Sequence, residues 1–156
     1  MGIIKKYKAL LILVPVVIVG FFFYHNDVKA LEKFVASYEK FDKAISDFSK
    51  PVFVSNVEGA PATDDLERKA DEALAELNTK TSVRISSLIK NDAELMNTEL
   101  EIADFSGKEL DNLKAYKRAV ADKNVDLGRL AKEFGDLANK RQTAYARFRE
   151  LGGLND

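Results

Sequence analysis

The sequence predicts an all-α protein: an N-terminal transmembrane or signal-anchor helix followed by an elongated antiparallel three-helix coiled-coil bundle. Three observations carry this. After residue 30, apolar residues recur at alternating spacings of three and four, the period of a helix that presents a seam. Eight Gly and three Pro among 156 residues are too few to punctuate a β-rich fold. The run from Ala9 to Tyr24, ALLILVPVVIVGFFFY, carries no charged side chain.

Residues 1–8 form a basic tail with Lys5, Lys6 and Lys8. A span at 9–26 follows, close to the roughly 17–20 residues a bilayer requires. Its anchoring residues are Leu10, Leu11, Ile12, Val16, Val17, Ile18, Phe21, Phe22 and Phe23. The three lysines predict a cytoplasmic N-terminus, with the chain beyond about residue 27 on the periplasmic side of a bacterial-type inner membrane. The aromatic cluster Phe21–Tyr24 suits the exit interface. The rival expectation is a cleaved secretory signal, since Val28-Lys29-Ala30 is a passable small-residue cleavage site. Either way, the later residues leave the cytoplasm. Lys6 stands where a myristoylation signal needs Ser or Thr.

Helix one is expected over 27–50, with the seam Leu31, Phe34, Tyr38, Phe41, Ile45 and Phe48. Pro51 is expected to stop it. Residues 51–63 read as a linker whose Val52, Phe53, Val54 and Val57 either cover the bundle or add to a partner's sheet edge. Helix two is expected over 64–106, with a seam of Leu66, Ala70, Ala73, Leu77, Thr81, Ile85, Leu88, Leu95, Ile102 and Phe105. Asn78–Ser82 has low helix propensity, which allows a bend, and the seam is interrupted near Asp92. Gly107 marks the next break. Helix three follows over 108–151, through Leu113, Tyr116, Val120, Lys123, Leu127, Leu130, Phe134, Leu137, Arg141, Ala144, Phe148 and Leu151. Gly152-Gly153 ends it, and the tail 152–156 is expected to fray.

Helix three carries a second stripe of small residues, Gly128, Ala131, Gly135 and Ala138. Two helical glycines cost roughly 1 kcal/mol each relative to Ala, so close approach by another chain is expected to offset them. The stripe either receives the aromatic side chains of helix one or docks a partner or second copy. The first alternative predicts that Gly135→Leu overpacks the bundle.

Composition excludes several chemistries. There is no Cys, which removes disulfides, thiolate metal sites and thiol nucleophiles. The single histidine, His25, lies at the membrane exit. No Glu-x-x-His pair or phosphate loop occurs. The sequence predicts no catalytic residue, no cofactor and no metal. The 24 basic and 25 acidic residues nearly cancel, and the part beyond Lys8 carries −4 (21 basic against 25 acidic), so nucleic acid is not an expected partner. Lys123 and Arg141 are the polar exceptions on the seams. They are expected to snorkel, to set register, or to meet a seam-side acid such as Asp92.

The expected function is therefore that of a non-enzymatic, single-pass, membrane-anchored envelope protein acting by protein–protein contact. Its partners would be the membrane, an unidentified protein, and a second copy paired through the heptads. The alternative is a secreted or periplasmic helical binding module, released by cleavage near Ala30, that holds an apolar ligand among its seven remaining phenylalanines.

Overall fold

Six large apolar side chains at spacings of three and four cannot remain in water along one helix face. Leu31, Phe34, Tyr38, Phe41, Ile45 and Phe48 are all buried, each at most 4% exposed. The elements that cover them are seen in a computed structural model. It describes residues 2–54, 63–81, 91–120 and 125–154, with side chains from residue 15 onward except at 16. Among these residues there are four helices and no strand: α1 (Gly2–Val54), α2 (Asp64–Lys80), α3 (Asp92–Ala119) and α4 (Leu127–Gly152).

Cross-helix pairs give the topology. Lys40 of α1 meets Glu76 of α2. Lys114 and Lys117 of α3 reach back to Asp71, and to Asp64 and Glu67, on α2. Arg147 of α4 meets Glu94 of α3, and Phe148 and Phe134 of α4 meet Phe34 and Phe53 of α1. Rising numbers on one helix always face falling numbers on the next. The arrangement is an up-down-up-down four-helix bundle. Ala70, Ala73 and Leu77 of α2, with Leu95, Ile102, Leu110 and Leu113 of α3, complete the core.

The all-helical bundle agrees with the sequence, but the helix count and breaks differ. Helix one continues through Pro51 to Val54. Proline removes one N–H, but only three residues follow it in the helix, so little of the ladder is lost. In return Val52 is buried, and the Phe53 ring packs 4.7 Å from Tyr116 and 5.2 Å from Phe134. Val52 and Phe53 thus belong to the core and not to a linker; residues 55–62, including Val57, lie outside the described residues.

The helix expected over 64–106 is two helices. α2 stops at Lys80, where Thr81 turns extended with ψ 128°. α3 begins after Asn91, which takes the left-handed conformation at φ 62°. Asn tolerates that region better than most residues because its short polar side chain bonds locally. Ile85 and Leu88 lie outside the described residues.

Gly107 breaks nothing, and α3 runs straight through it. Its cost of about 1 kcal/mol is outweighed by burial of Ile102, Leu110 and Leu113 on either side. The expected third helix is instead divided near residue 120. After it, α4 starts at Leu127, capped by Asp126, whose carboxylate accepts the Arg129 N–H at 3.0 Å. Lys123 lies outside the described residues. Gly153 ends α4 at φ 63°, donating to Glu150, while the Leu154 N–H reaches the Arg149 carbonyl at 2.9 Å, a Schellman closure. The tail is tied down as far as Leu154 by Arg149, whose guanidinium donates to the Leu154 carbonyl.

Two glycine substitutions should act in opposite directions in urea unfolding. A Cβ at Gly107 meets nothing within 4 Å, so Gly107→Ala should stabilise by about 0.5–1 kcal/mol. Gly153→Ala forces an L side chain into left-handed backbone and should destabilise by about 1 kcal/mol.

Candidate functional site

Three features were singled out by sequence: the apolar N-terminal run, the small-residue stripe, and the polar residues on the seams. The structure treats each differently.

The apolar run forms the first part of α1, and the helix passes without interruption into the bundle. Asp27 is the first fully buried residue. Before it, Val17, Ile18 and Phe23 are exposed, and Phe21 and Phe22 are each 71% exposed. Nothing in the bundle covers them. The side chains of Leu10, Leu11, Ile12 and Val16 lie outside the described residues. Among the described residues no helix is long and apolar enough to cross a membrane, so a full span over 9–26 rests on the sequence.

At the two glycines of the small-residue stripe no aromatic of helix one comes within contact of a Cβ. Gly128 is exposed, and Ala131, Gly135 and Ala138 are half-buried. A Cβ at Gly135 would meet nothing within 4 Å, and at Gly128 only the Asp126 carboxylate at 3.3 Å. The α1 aromatics lie instead on the other seam of α4. Phe34 tilts against Phe148 with ring centroids 4.9 Å apart, and Tyr38 stacks on Tyr145 at 3.6 Å. Large residues meet large residues because the stripe is rotated about 100° from the buried face. Overpacking by Gly135→Leu has no structural basis here.

Arg141 is the unusual residue of the core. It is 2% exposed, and three helices converge on its guanidinium. Nε donates to Glu109 of α3 at 2.5 Å, a second nitrogen reaches Asp42 of α1 at 2.8 Å, and a third donates to the Tyr38 hydroxyl at 2.9 Å. The plane also lies over the Tyr38 and Phe41 rings, at 5.2 and 5.4 Å. The partners are therefore Glu109 and Asp42 and not Asp92.

Burial pushes the Glu109 carboxyl above the usual range, against the pull of Arg141. Burial likewise pushes Tyr38 up to about 12, again against Arg141. Arg141 loses solvation, but Glu109 more than compensates and its value rises. The cluster is a buried ion pair beside a phenol that burial keeps neutral.

Glu109 was missed because the chain was divided at Gly107. With α3 continuous, Glu109 falls seven residues after Ile102 and four before Leu113, on the seam itself. An acid on one seam and an arginine on another was the available signal.

The grooves between neighbouring helices are shallow. One of about 350 Å³ runs between α3 and α4 past Phe105 and Thr143, and one of about 260 Å³ runs between α1 and α2 past Ala44 and Leu66. Among the described residues no three His, Asp or Glu side chains converge as metal ligands would. No family model matches the chain, and no curated protein or solved structure is significantly similar to it.

Removing Arg141 alone leaves the Glu109 carboxylate buried without its counter-charge. Arg141→Met should cost about 3–5 kcal/mol, while Glu109→Leu/Arg141→Met should return to within about 1–2 kcal/mol of wild type. The single variant also acquires a pH dependence. A carboxyl whose folded value lies above its unfolded one stabilises fully below the unfolded value and loses that contribution as pH rises. Taking away Arg141 removes the pull that lowers Glu109, so its folded value climbs further from 4.5. The deficit of Arg141→Met relative to wild type should therefore shrink between about pH 7 and pH 4.5, as read by urea melts at both.

Proposed function

We propose that this is a non-enzymatic, single-pass, membrane-anchored helical protein of a bacterial-type envelope, working by protein–protein contact. The observation that carries the proposal is the exposed apolar start of α1, continuous with the bundle and covered by none of it. Phe21 and Phe22 project outward beside Val17 and Ile18, and a lipid tail is the environment that such a cluster favours. The lysines at 5, 6 and 8 favour a cytoplasmic N-terminus, with the bundle on the far side of the membrane.

Continuity across Ala30 supports retention of the anchor over cleavage. Cutting there would remove Asp27, which is wholly buried, and would make the core residue Leu31 the new N-terminus. The contact surface is assigned to the bundle's exposed faces, with the stripe Gly128, Ala131, Gly135 and Ala138 as the candidate because a Cβ at Gly135 would meet nothing within 4 Å. The partner is a protein or a second copy.

Membrane fractions washed with alkaline carbonate, followed by intact-mass measurement, test the proposal. The full-length mass should stay in the pellet and enter detergent. Ile18→Asp/Phe22→Asp should move the chain into the wash, since each buried Asp costs about 2.5–3.5 kcal/mol. Wild-type protein in the wash, or a soluble product beginning at Leu31, would overturn the anchor in favour of a released binding module.

A further inference from the structure

Where α1 leaves the bundle, its polar surroundings are not random. The exposed apolar residues end at Tyr24. Two residues later a cavity of about 140 Å³ opens between α1 and the end of α2, lined by Asn26, Ala30, Lys33, Thr79 and Lys80. Asn26, Ala30 and Lys33 share one face of α1, at spacings of four and three. Side chains on a helix lean toward its N-terminus, so Lys33 leans from the bundle toward the apolar residues. Lys80 comes from the last turn of the antiparallel α2.

Several lysines of the bundle, Lys29, Lys43, Lys132 and Lys140 among them, pair with no described carboxylate, but here two such lysines line one cavity. Lys40, Lys69, Lys108, Lys114 and Lys117 each hold a carboxylate. Lys33 and Lys80 make no ion pair with any described residue. The nearest acid along α2, Glu76, is held by Lys40, with Lys80 adding a weaker attraction from beyond ion-pair distance. Two ammonium groups and an amide thus face a space too small for a protein segment but suited to one tetrahedral anion. The Thr79 hydroxyl is already committed to the Glu76 carbonyl at 2.7 Å, so the lysines and Asn26 are the donors.

We propose that this cavity binds the phosphate of a phospholipid headgroup. The proposal rests on the anchored reading above, in which Asn26 lies about 3 Å and Lys33 about 14 Å along α1 from Tyr24, so that the cavity opens toward the headgroup layer. It requires only that the phosphate accept hydrogen bonds and charge from Lys33, Lys80 and Asn26, with no covalent step.

Native mass spectrometry of the full-length protein, purified in detergent and mixed with phosphatidylglycerol, tests it. Wild type should retain one lipid per chain. Lys33→Gln/Lys80→Gln should lose affinity about 30-fold, with an unchanged melting temperature in lipid-free detergent. A control at the distant Lys108 (Lys108→Gln) should retain the lipid. Equal retention by wild type and the double variant, or none by either, would overturn the proposal while leaving the anchor intact. Equivalent stabilisation by inorganic phosphate alone would reassign the site to a free anion and overturn the lipid assignment. A wild-type chain that is soluble without detergent would remove the anchor, and this proposal with it.

Discussion

Arg141 must keep its charge inside a protein core, and that constraint organises the bundle around it. Its five N–H groups point in fixed directions, and they find acceptors on α1 and α3 simultaneously. A slip of one helical turn, about 5.4 Å, would carry Glu109 or Asp42 out of reach and leave a buried ion unpaired. Apolar seams built from Leu and Phe tolerate such slips far better, because one greasy contact resembles the next. The ion pair need not add stability over a hydrophobic substitute. Its contribution is to make one register of three helices much better than its neighbours.

Around that centre, α1 and α4 are held apart by the size of what lies between them. Phe34 tilts against Phe148, Tyr38 stacks on Tyr145, and Phe53 meets Phe134 edge to face. Where α1 meets α2 the partners are Ala70 and Ala73, so those helices come close along their length. Large-on-large at one interface and large-on-small at the other lets a single aromatic stripe serve two neighbours. It also explains why the small stripe of α4 stays open. Gly135 and Ala138 lie beside the aromatic contact, and the width of that contact keeps α1 from reaching them.

The sequence made the stripe of α1 fully legible, because its strict spacing and large residues leave one burial pattern. The all-helical bundle was legible for the same reason. Helix ends were not. Gly107 and Pro51 carry the strongest local signals for a break, yet both lie within helices whose flanking residues bury too much apolar surface to give up. The real ends lie at weaker signals: the Asn78–Ser82 segment, the left-handed Asn91, and the Asp126 cap. Local propensity is worth about 1 kcal/mol per residue, and each buried Leu or Phe is worth more. Breaks therefore fall where the seam is already poor. The misplaced break at Gly107 is also what hid Glu109, since a seam position is visible only along a helix of the right extent.

The continuity of α1 has a consequence for how the molecule would stand on a membrane. A flexible linker would let the bundle tumble at a distance set by its length. Here the exposed apolar residues and the core residue Leu31 belong to one hydrogen-bonded helix. Under the proposed anchoring, residues 27–54 rise from the interface by about 1.5 Å each, roughly 40 Å in all. The turn at Thr81 and the closing turn at Gly153 would lie near the lipid, and the α1 C-terminus with the Asp126 cap would lie far from it. Rotation about the α1 axis would be fixed relative to the anchor as well, so each face of the bundle keeps a defined bearing. A protein that works by contact benefits from this arrangement. The orientational part of its association entropy would be settled before a partner arrives, and under the proposed anchoring the outer face of α4 would keep a constant height above the membrane.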